Sequence, residues 1–300
     1  MAGFVTRFAP SPTGPLHLGH AYSALLAHDM ARANNGLFLL RIEDIDRARC
    51  RAEWERAIYE DLHWLGLSWD GPVMRQSDRL SAYHDALQSL WDQSLLYPCT
   101  CRRYDIKMAL SAPQEGAPAI GPDGFIYPGT CRWRLRGSKL RLGDALRLDV
   151  AKAFEGLPPT RFKETGCAPG CHYLEAEAFS HQVGDFAIAR RELETSYHLS
   201  VVVDDAAQGI THVIRGEDLF EATRIHVLLQ RLLGLPTPVY HHHRLIRDDA
   251  GKRLAKRDDA RALAKYRAEG ATPDDIRRLV GLQAIGAISS TSAPSRTARA

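Results

Sequence analysis

The sequence predicts an α/β fold: a parallel sheet with helices, interrupted by an inserted subdomain and followed by a short helical C-terminal part. Three observations predict it. Short apolar runs alternate with helical periodicity over residues 3–95, as expected of βα units whose ligands sit at the carboxyl ends of the strands. From about residue 97 to residue 196 that alternation breaks, and Gly, Pro, Cys and Arg become frequent. The α/β pattern then returns.

The elements follow in order. Gly3-Phe4-Val5 begins a first strand that runs into Arg7-Phe-Ala-Pro-Ser-Pro-Thr-Gly-Pro-Leu-His-Leu-Gly-His20, and Ala21 to Ala33 is apolar-periodic and helical. Pro10, Pro12 and Pro15 stiffen the connecting loop, while Gly14 and Gly19 permit close backbone approach to a ligand. Strand, tight loop and helix N-terminus together make an anion site. His17 and His20, spaced i and i+3, share one face of the first helical turn. An isolated H-x-x-H would equally suit a proline-rich turn with two surface histidines; the complete loop favours a ligand.

Leu37 to Ile42 is a second strand, ending in the cluster Arg41-Ile-Glu-Asp-Ile-Asp46, and helices are expected over Ala52–Leu65 and Leu80–Gln93. Ala112 to Tyr127 reads as loop. Leu199–Val203 reads as a buried strand, Gly209–Arg215 as another, Leu219–Leu233 as an amphipathic helix, and Val239–Ile246 as a further strand. The basic loop Arg247–Arg257 precedes two helical segments, the last starting at Pro273 with Thr272 as its cap. From Ser289 the composition is that of a disordered tail. The expected divisions are 1–96, 97–196, 197–246, 247–288 and 289–300.

Three hundred residues, 45% hydrophobic and 25% charged, suit a soluble globular enzyme with ample core. A net charge of +3 permits a nucleic-acid partner without demanding one. Arg7 and Pro10 interrupt the N-terminus before any signal-peptide core forms, and no apolar run approaches a membrane span, so a cytoplasmic protein without membrane contact is expected. Six cysteines are sparse for a disulfide scaffold; the close pair Cys99-Thr-Cys101 reads better as metal ligation.

The loop Arg7–His20, the block Arg41–Asp46, Tyr197-His-Leu-Ser-Val-Val-Val-Asp-Asp205, Gly209-Ile-Thr-His-Val-Ile-Arg-Gly-Glu-Asp-Leu219 and Arg253-Leu-Ala-Lys-Arg257 stand in this order. Together they resemble the signatures of class I aminoacyl-tRNA synthetases, in the glutamyl/glutaminyl branch. The resemblance covers about residues 4–260. It implies a Rossmann-type nucleotide-binding catalytic domain that forms an aminoacyl-adenylate, with ATP and Mg2+ as partners. Negative charge then accumulates on phosphate oxygens. His17, Gly19 and His20, with Lys256 from the mobile lysine loop, would bind ATP there, and His17, His20 and Lys256 would be the catalytic groups. Arg7 and Arg215 are the cations suited to a substrate carboxylate, since a guanidinium holds one bidentately. By resemblance Glu43 meets the α-ammonium, Tyr197 adds a hydroxyl contact, and Ala9 and Ser11 lie beside the substrate, L-glutamate. Read locally, Arg215 could instead pair with Glu217 or Asp218, Tyr197 could be core packing, and Lys256 could be a solvated basic residue. The lysine loop departs from the usual K-[ML]-S-K-[SR], with Arg253 for Lys and Ala255 for Ser.

Cys99, Cys101, Tyr127 and Cys131 resemble the zinc site of one subfamily, which transfers glutamate to queuosine in tRNA(Asp); one Zn2+ per chain is expected, the alternative being buried free thiols. Cys167 and Cys171 read as incidental thiols in a loop. Only about forty residues follow Arg257, which leaves no room for the usual anticodon-binding region. The resemblance therefore implies a monomer that activates glutamate without tRNA and receives the anticodon loop of tRNA(Asp), carrying queuosine, on its catalytic domain. A truncated enzyme charging tRNA(Glu), or a catalytically inactive tRNA-binding relative, are the alternatives.

Overall fold

The structure is a computed structural model that describes residues 3–110, 120–134, 137, 139–247 and 261–283. Lys256, Arg253, Ala255 and the tail from Ser289 lie outside the described residues. In chain order the elements are β1 (Val5–Phe8), α1 (Leu18–Ala33), β2 (Leu37–Ile42), α2 (Ala52–Trp64), β3 (Met74–Arg75), α3 (Leu80–Asp92) and β4 (Leu96–Pro98). Next come α4 (Arg103–Leu110), β5 (Ile120–Gly121), β6 (Gly124–Phe125), β7 (Leu146–Leu148), α5 (Val150–Ala153), β8 (Arg161–Glu164), β9 (Gly170–Tyr173), α6 (Ala176–Gln182) and β10 (Ala187–Ala189). The chain finishes with α7 (Tyr197–Ala207), β11 (His212–Gly216), α8 (Ala222–Leu232), β12 (Val239–His243), α9 (Leu263–Ala268) and α10 (Pro273–Leu279).

Two blocks of parallel strands hold the site. β1, β2 and β3 run parallel, as do β11, β12 and β8, with β9 antiparallel at that edge. The blocks meet at Thr211, whose N–H donates to the Val5 carbonyl at 2.9 Å and whose hydroxyl accepts from the Val5 N–H at 2.8 Å. β1 and β11 are thus neighbours although about two hundred residues separate them. Their carboxyl ends open side by side, the position where open α/β sheets bind ligands. Four alanines of α1, Ala21, Ala24, Ala27 and Ala31, are fully buried. Small side chains on that face let α1 lie close over the sheet. α10 begins as expected, with Pro273 in its first turn and Thr272 and Asp275 in a reciprocal capping box. It docks on α1 through a bidentate Arg277–Asp29 pair at 2.8 and 2.9 Å.

Two sequence expectations need correction. Residues 199–203 belong to helix α7, not to a strand. The Ser196 hydroxyl caps that helix by accepting from the Leu199 N–H at 3.3 Å. His198, Leu199, Ser200, Val201, Val202, Asp204 and Asp205 are all buried, so the helix lacks the polar face that would have revealed its period. Within Ala112–Tyr127, residues 111–119 lie outside the described set, but β5 and β6 pair as a two-stranded hairpin rather than a loop. The helix expected from Leu219 begins at Ala222, after a 3-10 turn over Glu217–Leu219, and the strand from Val239 ends at His243.

The β8–β9 hairpin is fastened to β12 through backbone contact at Gly166. The Cys167 N–H donates to the His242 carbonyl at 2.8 Å, and a Cβ on Gly166 would lie 2.1 Å from that oxygen. Gly166→Ala is expected to prise β8 from β12 and lower stability by about 3 kcal/mol, read as a lower midpoint in denaturant unfolding.

Candidate active site

A cavity of about 480 Å3 opens at the carboxyl ends of β1 and β11. β1 contributes Arg7 and the loop after it Ala9 and Ser11; the start of α1 contributes His17, Gly19 and His20; the end of β2 leads into Glu43. Tyr197 enters from the start of α7 and Arg215 from β11. Every site residue expected for glutamate and ATP other than Lys256 therefore lines one cavity. The Glu43 N–H donates to the Pro10 carbonyl at 3.0 Å, which ties the end of β2 to the first loop. The chain entering α9 closes the other side: Ala262 forms an antiparallel bridge with His17, and the Leu263 N–H donates to the Leu16 carbonyl at 2.9 Å.

The two first-turn histidines cap the helix they begin. His17 Nδ1 accepts from the Gly19 N–H at 3.1 Å, and His20 Nδ1 accepts from the His17 N–H at 3.2 Å. The rings stand 3.8 Å apart, centroid to centroid. With Nδ1 used as acceptor, the N–H of each neutral ring is at Nε2. Both imidazoles are thereby oriented as donors at the positive end of a helix.

The floor of the cavity is an ion network that the sequence analysis did not assign. Arg7 holds Asp205 through Nε at 2.9 Å and Nη2 at 3.3 Å. Arg41, fully buried, donates to the same carboxylate at 2.7 Å, to Gln208 Oε1 at 2.9 Å and to Glu43 at 3.2 Å. Burial opposes ionisation of Asp205, but Arg7 and Arg41 outweigh it and hold the carboxyl below its ordinary range. For Glu43 the balance reverses: burial pushes its carboxyl up, and Arg41 and Arg7 offset only part. Burial likewise raises the Tyr197 phenol. The neighbouring Asp204 faces away, accepting from Gln76, Arg79 and Tyr83 at 2.7–3.0 Å. Two acids at the end of the apolar run Val201-Val-Val-Asp-Asp205 were the available signal, since buried carboxylates require cations.

Arg215 is held differently. Its guanidinium donates to His242 Nε2 at 3.1 Å, His226 Nδ1 at 3.0 Å, Thr223 Oγ1 at 2.8 Å and the Leu219 carbonyl at 3.3 Å. These partners are neutral acceptors rather than the Glu217 or Asp218 carboxylates. Burial and then Arg215 lower His242 to about 4 and His226 well below the usual imidazole value. Three guanidiniums (Arg7, Arg41, Arg215) and three carboxylates (Asp205, Glu43, Asp218) thus stand at or beside the cavity, with Asp205 and Glu43 already paired to Arg7 and Arg41.

The cysteine cluster lies apart, in the segment between β4 and β7. Cys101 Sγ is 3.5 Å from Cys131 Sγ and 3.3 Å from Tyr127 Oη, and Cys99 Sγ is 3.6 Å from Tyr127 Oη. A tetrahedral zinc with Zn–S bonds of about 2.3 Å has edges near those lengths, so the four atoms fit the ion. The Cys131 N–H donates to Tyr127 Oη at 2.8 Å, and the Arg147 guanidinium lies 3.8 Å over the Tyr127 ring. The Cys131 N–H favours a phenolate, but burial and then the three thiols outweigh it and push the phenol above its ordinary range. Cys167 and Cys171 are exposed on the β8–β9 hairpin. Glu164 and His242 lie near Cys167 but bond each other at 2.6 Å.

Residues 4–118 and 173–292 match the catalytic-domain pattern of the class I tRNA synthetases (E and Q). A Rhodobacter capsulatus protein named glutamyl-Q tRNA(Asp) synthetase is 66% identical over 286 residues, covering 93% of this chain and 100% of its own. The chain belongs to the glutamyl-Q tRNA(Asp) synthetase family. A member from Albidiferax ferrireducens is 42% identical, with 88% of this chain and 87% of that one covered. A crystal structure of a glutamate tRNA ligase from Elizabethkingia meningosepticum, in complex with its amino acid, superimposes with a TM-score of 0.72 at 26% identity. It covers 93% of this chain, which spans 60% of that ligase. Methionyl-tRNA synthetase of Mycobacterium tuberculosis, at 10% identity and a TM-score of 0.58, shares the fold alone.

The raised Glu43 carboxyl has a kinetic consequence. If Glu43 receives the substrate ammonium, as the resemblance implies, that cation favours the ionised form, and the KM for glutamate should fall as pH rises from the acid side and level off once Glu43 is ionised. Pyrophosphate exchange across that pH range measures it, and Glu43→Gln should flatten the profile.

Proposed function

We propose that this ligase activates L-glutamate with ATP, without tRNA, and transfers the glutamyl group to the queuosine base at the anticodon wobble position of tRNA(Asp). One observation carries the first half: the first-loop residues, Glu43, Tyr197 and an Arg215 with no carboxylate partner among the described residues converge on one cavity. Arg215 takes the side-chain carboxylate and Arg7 supports it, while Glu43 takes the α-ammonium, with Tyr197, Ala9 and Ser11 alongside. The α-carboxylate then points at ATP. One of its oxygens attacks the α-phosphorus, a new phosphorus–oxygen bond forms, and the bond to pyrophosphate breaks. His17 and His20 donate from Nε2 to the phosphate oxygens, Gly19 allows close approach, and Lys256 with Mg2+ supplies positive charge. Positioning and electrostatics account for this step.

The second half rests on the names of the family members and on the surface of the insert. A second cavity of about 730 Å3 is lined by Arg102, Arg103, Arg147, Arg190 and Arg191. Tyr104 and Trp133 are 69% and 89% exposed nearby in sequence. Guanidiniums for phosphates and aromatic faces for unstacked bases suit a single-stranded RNA loop. Zinc, one per chain, would be held by Cys99, Cys101, Tyr127 and Cys131 and would cross-link this region. Among the described residues no helix is long and apolar enough to cross a membrane.

A filter assay with labelled glutamate, ATP and tRNA(Asp) tests the reading. Label should be retained only on queuosine-containing tRNA(Asp). Equal charging of queuosine-free tRNA(Asp), or charging of tRNA(Glu), would overturn it. Metal analysis of the purified protein should find about one equivalent of zinc, lost in Cys101→Ser; a metal-free wild-type protein would remove the ion from the scheme.

A further inference from the structure

Behind the cavity, Arg215 begins a chain of two hydrogen bonds and a longer imidazole–carboxylate contact that leaves the site altogether. Its Nη1–H donates to His226 Nδ1 at 3.0 Å; His226 Nε2 lies 3.1 Å from His198 Nδ1; His198 Nε2 lies 3.5 Å from Asp123 Oδ1. Four separate pieces of the chain meet here: β11, α8, the first turn of α7 and the turn between β5 and β6. His226 and His198 are only 1% and 6% exposed. Asp123 lies on the wall of the second, arginine-lined cavity.

Arginine at one end, which only donates, and a carboxylate at the other, which only accepts, favour one and the same sense for every contact in this chain. A guanidinium has no acceptor, so His226 Nδ1 accepts and its ring proton sits on Nε2, aimed at His198. His198 Nδ1 then accepts in turn, and its proton sits on Nε2, aimed at Asp123. A carboxylate is the partner that order requires. The opposite tautomers would set N–H against N–H at Arg215. A cationic His198 is excluded as well, because it would donate from Nδ1 and leave His226 no nitrogen for a proton. The electrostatics agree with this order. Burial, then Arg215, keep His226 neutral. Burial pushes the Asp123 carboxyl up, but His198, Arg190 and Arg147 outweigh it and keep it ionised.

We propose that Asp123 is a positioning residue for glutamate recognition: through His198 and His226 it sets two tautomers and so fixes the guanidinium of Arg215. The kinetic half of this inference rests on the assignment of Arg215 to the substrate carboxylate; the tautomers do not. The amino-acid site and the insert's cavity consequently share one polarised chain, and Arg147 and Arg190 beside Asp123 stand where an RNA phosphate would act on it.

The test uses the full chain and Asp123→Asn, whose amide can donate or accept and so removes the bias. In two-bond proton–nitrogen spectra of histidine-labelled protein, assigned with His198→Gln and His226→Gln, both wild-type rings should be Nε2–H tautomers. In Asp123→Asn, His198 should show mixed tautomers. The KM for glutamate in pyrophosphate exchange should rise about fivefold, the worth of one buried hydrogen bond, with kcat and the KM for ATP held within about twofold. An Nδ1–H tautomer at either ring in the wild type, or unchanged tautomers in Asp123→Asn, would overturn the proposal whatever KM does. Shifted tautomers with an unchanged glutamate KM would uphold the chain and instead overturn the role given to Arg215.

Discussion

Arg7 and Arg41 converge on one carboxylate, Asp205, and all three are buried. Burying charge is costly unless it is paired and hydrogen-bonded, and this carboxylate meets that condition for two arginines at once. Arg7 comes from β1, Arg41 from β2 and Asp205 from α7, so the contact joins the first βαβ unit to the helix that follows the insert. Glu43 and Gln208 complete the shell around Arg41. The consequence for chemistry is a division of labour. Arg7 is already half committed to a carboxylate inside the protein, whereas the partners of Arg215 among the described residues are neutral acceptors. Two arginines that look equivalent in the sequence are therefore inequivalent in space.

How much of this the sequence carried depends on the range of the interactions. The first loop was legible because its signals are local: three prolines, two glycines and a pair of histidines one turn apart specify a loop and a helix start by themselves. Pro273 and Thr272 were legible for the same reason, as was the clustering of Cys99, Cys101 and Cys131. Residues 199–203 were not, because a helix buried on all sides carries no period, and its cap, Ser196, is one hydroxyl among many. Asp205 and Arg41 escaped a role because their partners are 164 and 198 residues away along the chain. Arg215 was identified as a cation, but the histidines that define its environment come from α8 and β12, and nothing local links them to it.

The capping arrangement of His17 and His20 ties folding to chemistry in the same residues. The Nδ1 atoms satisfy backbone amides that the helix start would otherwise leave unpaired, and that same bond turns Nε2 outward. Orientation of the donors is thus a by-product of forming α1, which is itself seated on the sheet by its buried alanines. Little freedom is left for the two rings to lose when a phosphate arrives, and that is what preorganisation requires.

Among the described residues, Tyr97, Cys99, Tyr127 and Cys131 form a core of four buried side chains, with Cys101 and Ile106 packed on its rim. Around it Tyr104, Met108, Ile120, Phe125 and Trp133 are exposed. At about 25 cal/mol for each Å2 of apolar surface removed from water, so small a cluster contributes little against the ordering entropy of its own segment. Without an ion on Cys99, Cys101, Tyr127 and Cys131, this region would open at a lower free energy than the sheet beneath it. Failure of the molecule would then be staged: the cysteine-bearing segment would come apart while the floor of the first cavity, locked by Asp205, stayed folded.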